Sequence, residues 1–239
     1  KHLKLPIKVL NKKDYDLIEI KGKKKIKPLN YKIPTDISSS AFFIILTALS
    51  KNSKLRIKDV NINPSRIGVL KILKLMGVRV KIKDIRTYKG EKIGNLYIKS
   101  TDHFKPINCP IKFNSAAIDE FLLIFLVAAK ANGISYFKNL SELNQKESPR
   151  LLLSSKILSK IGIKNIVTNK SIKIYGNPDL KIKKKVEIKN FLKDHRVFMS
   201  SVIAALTFGG EWHIHDKDSI KTSFPTFLKK ISYLGARII

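Results

Sequence analysis

The chain has 239 residues, 44% hydrophobic content and a single cysteine, Cys109. That is apolar material for one large domain or two small ones. It excludes a disordered tail and an internal disulfide framework, and a lone thiol fits a reducing cytoplasm. The formal net charge of +30 raises nucleic acid as a partner. The lysines, however, are scattered over predicted strands, helices and loops, arginine is scarce, and lysine, isoleucine and asparagine are all abundant, the mark of AT-rich codons. The dense runs "KGKKKIK" (21–27) and "KIKKK" (181–185) read as solvated turns, so the expectation is no nucleic acid. Apolar stretches such as "FLLIFLVAA" (121–129) are too short to span a bilayer, so no membrane is expected.

In chain order, residues 1–33 contain strand patterns at "IKVL", "LIEIK" and "YKIP". "KHLKLP" reads as the end of a helix, and "GARII" at the other terminus as a starting strand; the expectation is a piece of a longer protein. From Pro34 onward the chain repeats. Helical segments that are apolar nearly all round begin at "AFFIILTALS" (41), "IDEFLLIFLVAAKANG" (118) and "RVFMSSVIAALTFGG" (196), spacings of 77 and 78 residues. An all-round apolar helix is buried on most sides.

Each is followed by an alternating strand, "KLRIKDV" (54–60), "ISYFKNL" (134–140) or "EWHIHD" (211–216). A second, more amphipathic helix then begins near "NPSR" (63–66), "SPRL" (148–151) or "FPTF" (224–227), with Pro64, Pro149 and Pro225 at the expected first helical position. Gly77, Gly162 and Gly235 are placed to stop these helices through a left-handed turn. Two further strands close the first two copies: "RVKIK" with "NLYIKS", and "IKNIVT" with "SIKIYG". The pattern predicts one α/β domain of βαβαββ units with pseudo-threefold organisation, buried helices inside and sheets outside. Residues 1–35 are expected to be the remnant of a preceding lobe, and 36–239 the three-unit lobe.

The unusual polar groups gather where helices begin: "TDISSS" (35–40), "SAAIDE" (115–120), "NQKESPR" (144–150), "KDHR" (193–196) and "IKTSFP" (220–225). Helix N-termini carry free amide donors and partial positive charge, so several converging make an anion site. Lys146, Arg150, Arg196 and His195 would add to its positive character. Singly, each motif is explained by ordinary capping: serines before a helix, or Asp119 and Glu120 in a first turn. His213 and His215 read as exposed strand residues without a third metal ligand.

Taken together, "IPTDISSSAFF", "NPSRIGVLKILKLMGV", "AIDEF", "ELNQKESPRL", "KDHRVFMSSVIAAL" and "TSFPTFLKKISYLGA" resemble the 5-enolpyruvylshikimate-3-phosphate synthase family, bacterial type, over essentially the whole chain. The resemblance implies an inside-out α/β barrel lobe, paired with a similar lobe across an active-site cleft. It implies transfer of the enolpyruvyl group of phosphoenolpyruvate to the 5-hydroxyl of shikimate 3-phosphate, release of phosphate, no metal or organic cofactor, and a monomer at full length. By the same resemblance Asp119 is a candidate base, and Glu147 a candidate proton donor and acceptor at the methylene carbon. Lys146 is a contact on the shikimate-phosphate side. Arg150 and Arg196 clamp phosphoenolpyruvate, with His195 beside them and Asp194 orienting the loop. Asp36 and Thr222 are further binding positions.

The chain departs from the family pattern at Pro149, where aspartate is usual, at Glu142, where asparagine is usual, and at Thr222, where some members carry lysine; Lys221 lies one residue earlier and is left unassigned. The first-lobe segments are absent, so this portion alone is expected to be inactive. The alternatives are UDP-N-acetylglucosamine enolpyruvyl transferase, against which "KDHR" and "KES.R" argue, and a non-catalytic basic fragment that binds nucleic acid.

Overall fold

The computed structural model describes residues 5–22, 25–26 and 28–238. The reading of "KHLK" as a helix end, and part of "KGKKKIK", lie outside the described residues. Strand β1 (Ile7–Asn11) pairs antiparallel with β2 (Asp16–Ile20), Ile7 opposite Ile20. Ile7, Val9, Ile18 and Ile20 of this hairpin are exposed. "YKIP" forms no strand, although Tyr31 packs near Tyr88 with ring centroids 5.4 Å apart; the first backbone bridge to the following sheet is the parallel one from Thr35 to Val60.

Three units then follow. The first comprises α1 (Ile37–Leu49), β3 (Lys54–Asn61), α2 (Gly68–Leu75), β4 (Arg79–Tyr88) and β5 (Glu91–Lys99). The second comprises α3 (Phe121–Ala129), entered through a 3-10 turn (Ser115–Glu120), then β6 (Ile134–Phe137), α4 (Arg150–Lys160), β7 (Asn165–Val167) and β8 (Ile172–Tyr175). The third comprises β9 (Lys185–Ile188), α5 (His195–Phe208), β10 (Glu211–Ile214) and α6 (Phe227–Tyr233).

The sheets repeat as well as the sequence. Their orders are β3-β5-β4 and β6-β8-β7, antiparallel throughout. Each unit also opens with a parallel contact to the strand after its buried helix: Thr35 to Val60, Asn108 to Tyr136, and the β9–β10 ladder. The βαβαββ pattern calls for a strand ahead of α5, but "KIKKK" reads as solvated and gave it no place; strand β9 begins at the last lysine of that run, and Val186 and Ile188 alternate into the core. The "GARII" segment forms no strand among its described residues.

The unit boundaries follow from local chemistry. Asp59, Asn139 and Asp216 adopt left-handed backbone (φ 54°, 55° and 56°) near the end of the corresponding strand in each unit. Asp and Asn tolerate that region better than other non-glycine residues. Strand β6 ends at Phe137, ahead of Asn139 and short of Leu140, whereas β3 passes through Asp59 with a register shift. Gly77, Gly162 and Gly235 all have positive φ, as the helix stops require. The prolines sit earlier than expected. Pro149 is the residue before α4, and Pro64 and Pro225 lie in turns ahead of α2 and α6. At Pro64 the reason is visible: the Asn63 side chain accepts from the Ser65 amide, and its carbonyl from the Arg66 amide, building a turn first.

Helices α1, α3 and α5 touch one another at the centre. Every residue of α3 is buried, consistent with the absence of a polar face in its sequence. Phe121, Phe125 and Phe137 form an aromatic cluster with centroids 5.1–6.0 Å apart. Phe227 of α6 packs edge-on against Phe42 of α1 at 5.6 Å, closing the third unit onto the first. Each such fully buried ring contributes about 1.5–3 kcal/mol through area removed from water. Among the described residues, no helix is long and apolar enough to cross a membrane.

Candidate active site

The charged residues of the motifs meet at the N-terminal ends of the central helices. Asp194 caps α5: its Oδ1 accepts from the amides of Arg196 (2.9 Å) and Val197 (3.4 Å). It is presented by a strained approach, with left-handed backbone at Asn190, Leu192 and Lys193 around the buried anchor Phe191. Asp36 caps α1 in the same way, accepting from the Ser39 amide at 2.7 Å and its hydroxyl at 2.8 Å. The turn Ser115–Glu120 is fixed by Gly68 of α2, where a Cβ would lie 2.6–2.8 Å from backbone atoms of Ala116 and Ala117. The first residue of α4 is Arg150.

Arg150 organises the cluster. Its side chain is 1% exposed, and its donors are turned onto three carboxylates. Nε donates to Asp194 Oδ2 at 2.8 Å, Nη1 to Asp119 Oδ1 at 3.3 Å, and Nη2 to Glu147 and, at 3.3 Å, to Asp194 Oδ1. The Ser148 hydroxyl completes Asp194 at 2.8 Å. Burial pushes the Asp194 carboxyl up, but the Arg150 bonds and charge, with Ser148 and the Arg196 amide, outweigh it and hold the group below its ordinary value.

Lys146 Nζ lies 3.8 Å from Asp119 Oδ1 and 2.9 Å from Glu142 Oε1. Arg196 Nη1 donates to the Asp119 carbonyl at 2.9 Å and lies 3.7 Å from Glu120 Oε1. Its Nε and Nη2 have no hydrogen-bond partner among the described residues.

Two of the expected anion contacts differ in their surroundings. Arg150 presents no exposed face for a bidentate grip on a ligand; three acids occupy it, and the arginine with free donors is Arg196. His195 adds no full positive charge at neutral pH, because burial lowers its pKa below 6.5, with Arg196 and Arg150 adding to the effect and Asp194 and Glu147 opposing it. It is a neutral hydrogen-bonding group at the first turn of α5. Thr222 lies on an exposed turn before α6, with no hydrogen bond or ion pair to the cluster among the described residues; Lys221 beside it pairs with Asp218 at 2.8 Å.

Asp36 is joined to the cluster indirectly. Arg66 Nη2 lies 3.9 Å from Asp36 Oδ1 and donates to the Ser38 hydroxyl at 3.1 Å, and Ser38 and the Arg66 charge both favour the ionised form of Glu120. Sequence reasoning missed Arg66, Ser148 and the burial of Glu120. The signal for Arg66 was present, since Pro64-Ser65-Arg66 is the first-unit counterpart of Pro149-Arg150. His213 and His215 are exposed and pair with Glu211 and Glu187, as strand residues. Among the described residues no acidic, histidine and cysteine cluster of metal-binding kind occurs.

Two carboxylates on one guanidinium, beside a lysine and an arginine with free donors, can move protons and hold an anion. Fold and cluster together define a class: a pseudo-threefold α/β lobe with its acid, base and cationic groups at helix N-termini. The sequence profile of the family EPSP synthase (3-phosphoshikimate 1-carboxyvinyltransferase) matches residues 2–231. The chain belongs to the EPSP synthase family. It is 37% identical over 217 residues, 91% of its own length, to the 3-phosphoshikimate 1-carboxyvinyltransferase of Ruthia magnifica subsp. Calyptogena magnifica, covering 49% of that protein. With the enzyme of the same name from Hydrogenovibrio crunogenus it is 35% identical over 221 residues, 92% of this chain and 49% of that one.

The EPSP synthase structure from Acinetobacter baumannii superposes with a TM-score of 0.84 at 32% identity, over 95% of this chain and 52% of that one. The enolpyruvyl transferase NikO from Streptomyces tendae shares the fold, at TM-score 0.74 and 17% identity, over 98% and 51% of the two chains. The chain thus spans about half the length of the curated relatives it matches.

Proposed function

We propose that this chain supplies half of the catalytic cleft of an enolpyruvyl transferase acting on phosphoenolpyruvate and shikimate 3-phosphate. The observation that carries the reading is Arg150, one buried guanidinium bonded to both Asp119 and Glu147. Such a bridge holds two carboxylates on one guanidinium, side by side at the place where proton transfer is read to occur.

In the forward step Asp119 takes the proton of the 5-hydroxyl as its oxygen bonds to the enol carbon, and Glu147 gives a proton to the methylene carbon. In the second step Glu147 takes a proton back from the resulting methyl group, the carbon–oxygen bond to phosphate breaks, and inorganic phosphate leaves carrying the proton that Asp119 took from the hydroxyl. Arg196 and Lys146 face the substrate anions, His195 offers a neutral hydrogen bond, and Asp194 locks Arg150. No step calls for a metal or organic cofactor.

Residues 36–239 are the three-unit lobe on this reading, and residues 1–35 belong to its companion. The exposed apolar hairpin side chains fit a strand pair built to be covered, since an isolated two-stranded hairpin is marginal in water. Arg150 is saturated with acids, so the surplus of positive charge for two anions comes from the companion lobe. The whole protein is read as a cytoplasmic monomer.

The test is complementation. The chain is co-produced with the first half of the Acinetobacter baumannii enzyme, and phosphate release is followed with both substrates. Phosphate release dependent on both halves is expected; no release, with no binding of either substrate to the chain, would overturn the reading.

A further inference from the structure

Glu120 is the buried acid that this mechanism leaves unused. It stands at the junction of the 3-10 turn Ser115–Glu120 and α3, next to Asp119, and is 3% exposed. Among the described residues its Oε1 has no hydrogen-bond partner, yet it lies 3.7 Å from Arg196 Nη1. Ser38 at the start of α1 and the charge of Arg66 both favour the ionised form of the same carboxyl, against its burial. Glu120 therefore touches the beginnings of all three central helices: α1 through Ser38, α3 through its own backbone, and α5 through Arg196. Burying an acid costs free energy, and nothing in the helix packing requires one here, because Glu120 makes no side-chain cap to α3.

What its position does is constrain Arg196. The Nη1 end of that guanidinium donates to the Asp119 carbonyl and lies 3.7 Å from Glu120 Oε1, contacts that oppose rotation of the planar fork. Nε and Nη2, which lack partners among the described residues, are then the donors left for a ligand. The pseudo-symmetry supports a dedicated role. Arg150 of the second unit is anchored by Asp194, an acid from the third, and Glu120 of the second unit lies beside Arg66 of the first. Glu120 is thus the counterpart of Asp194 across the first unit boundary, with one oxygen diverted to Arg196.

We propose that Glu120 is a positioning residue that aims Arg196 at the anionic group of phosphoenolpyruvate, acting from behind without touching substrate. The proposal rests on the enolpyruvyl-transfer reading for the identity of that anion. Phosphoenolpyruvate and shikimate 3-phosphate are titrated separately into the full chain and its Glu120→Gln variant by NMR. Arginine-selective nitrogen spectra of the unmodified chain report rotation of the Arg196 guanidinium, with exposed Arg237 as the free reference.

The expected result is about tenfold weaker phosphoenolpyruvate binding in Glu120→Gln, the scale of one misaligned charge-assisted hydrogen bond. Shikimate 3-phosphate affinity should stay within about twofold, and Arg196 should rotate slowly. Equal phosphoenolpyruvate affinity in the two proteins, or an Arg196 as mobile as Arg237, overturns the proposal, and the second observation decides even where the variant fails to fold. An unmodified chain with slow Arg196 rotation that binds neither anion overturns the substrate reading instead.

Discussion

Replacing Arg150 by methionine tests whether one guanidinium holds the cluster together. The side chain is 1% exposed and, among the described residues, is the only side-chain cation bonded to Asp194, itself 1% exposed. Methionine keeps much of the apolar volume but leaves Asp194 with the Ser148 hydroxyl and the amides of Arg196 and Val197. Removing one partner of a buried pair strands the other charge, which costs about 3–5 kcal/mol. The lost contacts to Asp119 and Glu147, 30% and 54% exposed, add little because water screens them.

With a urea m-value of about 2–3 kcal/mol/M, the unfolding midpoint should fall by about 1–2 M at pH 7. The pH dependence carries the sharper test. In the unmodified protein Asp194 has a lowered folded pKa, so it binds fewer protons folded than unfolded. Its contribution is present above the ordinary carboxylate range and is lost as pH falls through the folded value. In Arg150→Met burial dominates, the folded pKa rises above the unfolded one, and the penalty is relieved on acidification. The stability gap between the two proteins should therefore narrow as pH drops from 7 toward about 4. Urea unfolding monitored by circular dichroism across this range measures it. A gap below about 1 kcal/mol at pH 7, or one independent of pH, would refute the reasoning.

Glu147→Gln in the complemented enzyme should lower the rate of phosphate release at least about a hundredfold while substrate affinities change only severalfold, as steady-state kinetics and titration would show. Gly68→Ala should destabilise the lobe by about 1–3 kcal/mol in urea unfolding and impair turnover through displacement of Asp119, because its Cβ would meet Ala116 backbone at 2.6 Å. Glu120→Gln should raise stability at neutral pH. Burial lifts the Glu120 pKa despite Ser38 and Arg196, so the folded state loses stability as pH climbs past the ordinary glutamate value, and the advantage of the amide should vanish in acid. Burial pushes the Cys109 thiol from 9.0 to about 11, so alkylation at pH 8 should be strongly suppressed in the native protein and full in urea.

What the amino-acid sequence determined here was local and periodic. Three all-round apolar helices at a near-constant spacing could only be buried together. Left-handed glycines ended the amphipathic helices, and alternating strands set the sheets outside. The family resemblance named Asp119, Lys146, Glu147, Arg150 and Arg196, and the fold brings them together. The errors fell where periodicity carries no signal. Strand β9 hides in a lysine-rich run because its apolar residues number only two, and the prolines precede their helices because turns were built first.

Tertiary structure alone decided the division of labour among the charges. Arg150 and Arg196 look alike in sequence, each at the start of a helix. Which of them is saturated by acids and which keeps free donors depends on how three helix ends approach one another, and on Asp194 and Glu120 arriving from different units. Charge pairing acts over a few ångströms between residues such as Glu120 and Arg196, 76 positions apart, and no spacing along the chain encodes that distance.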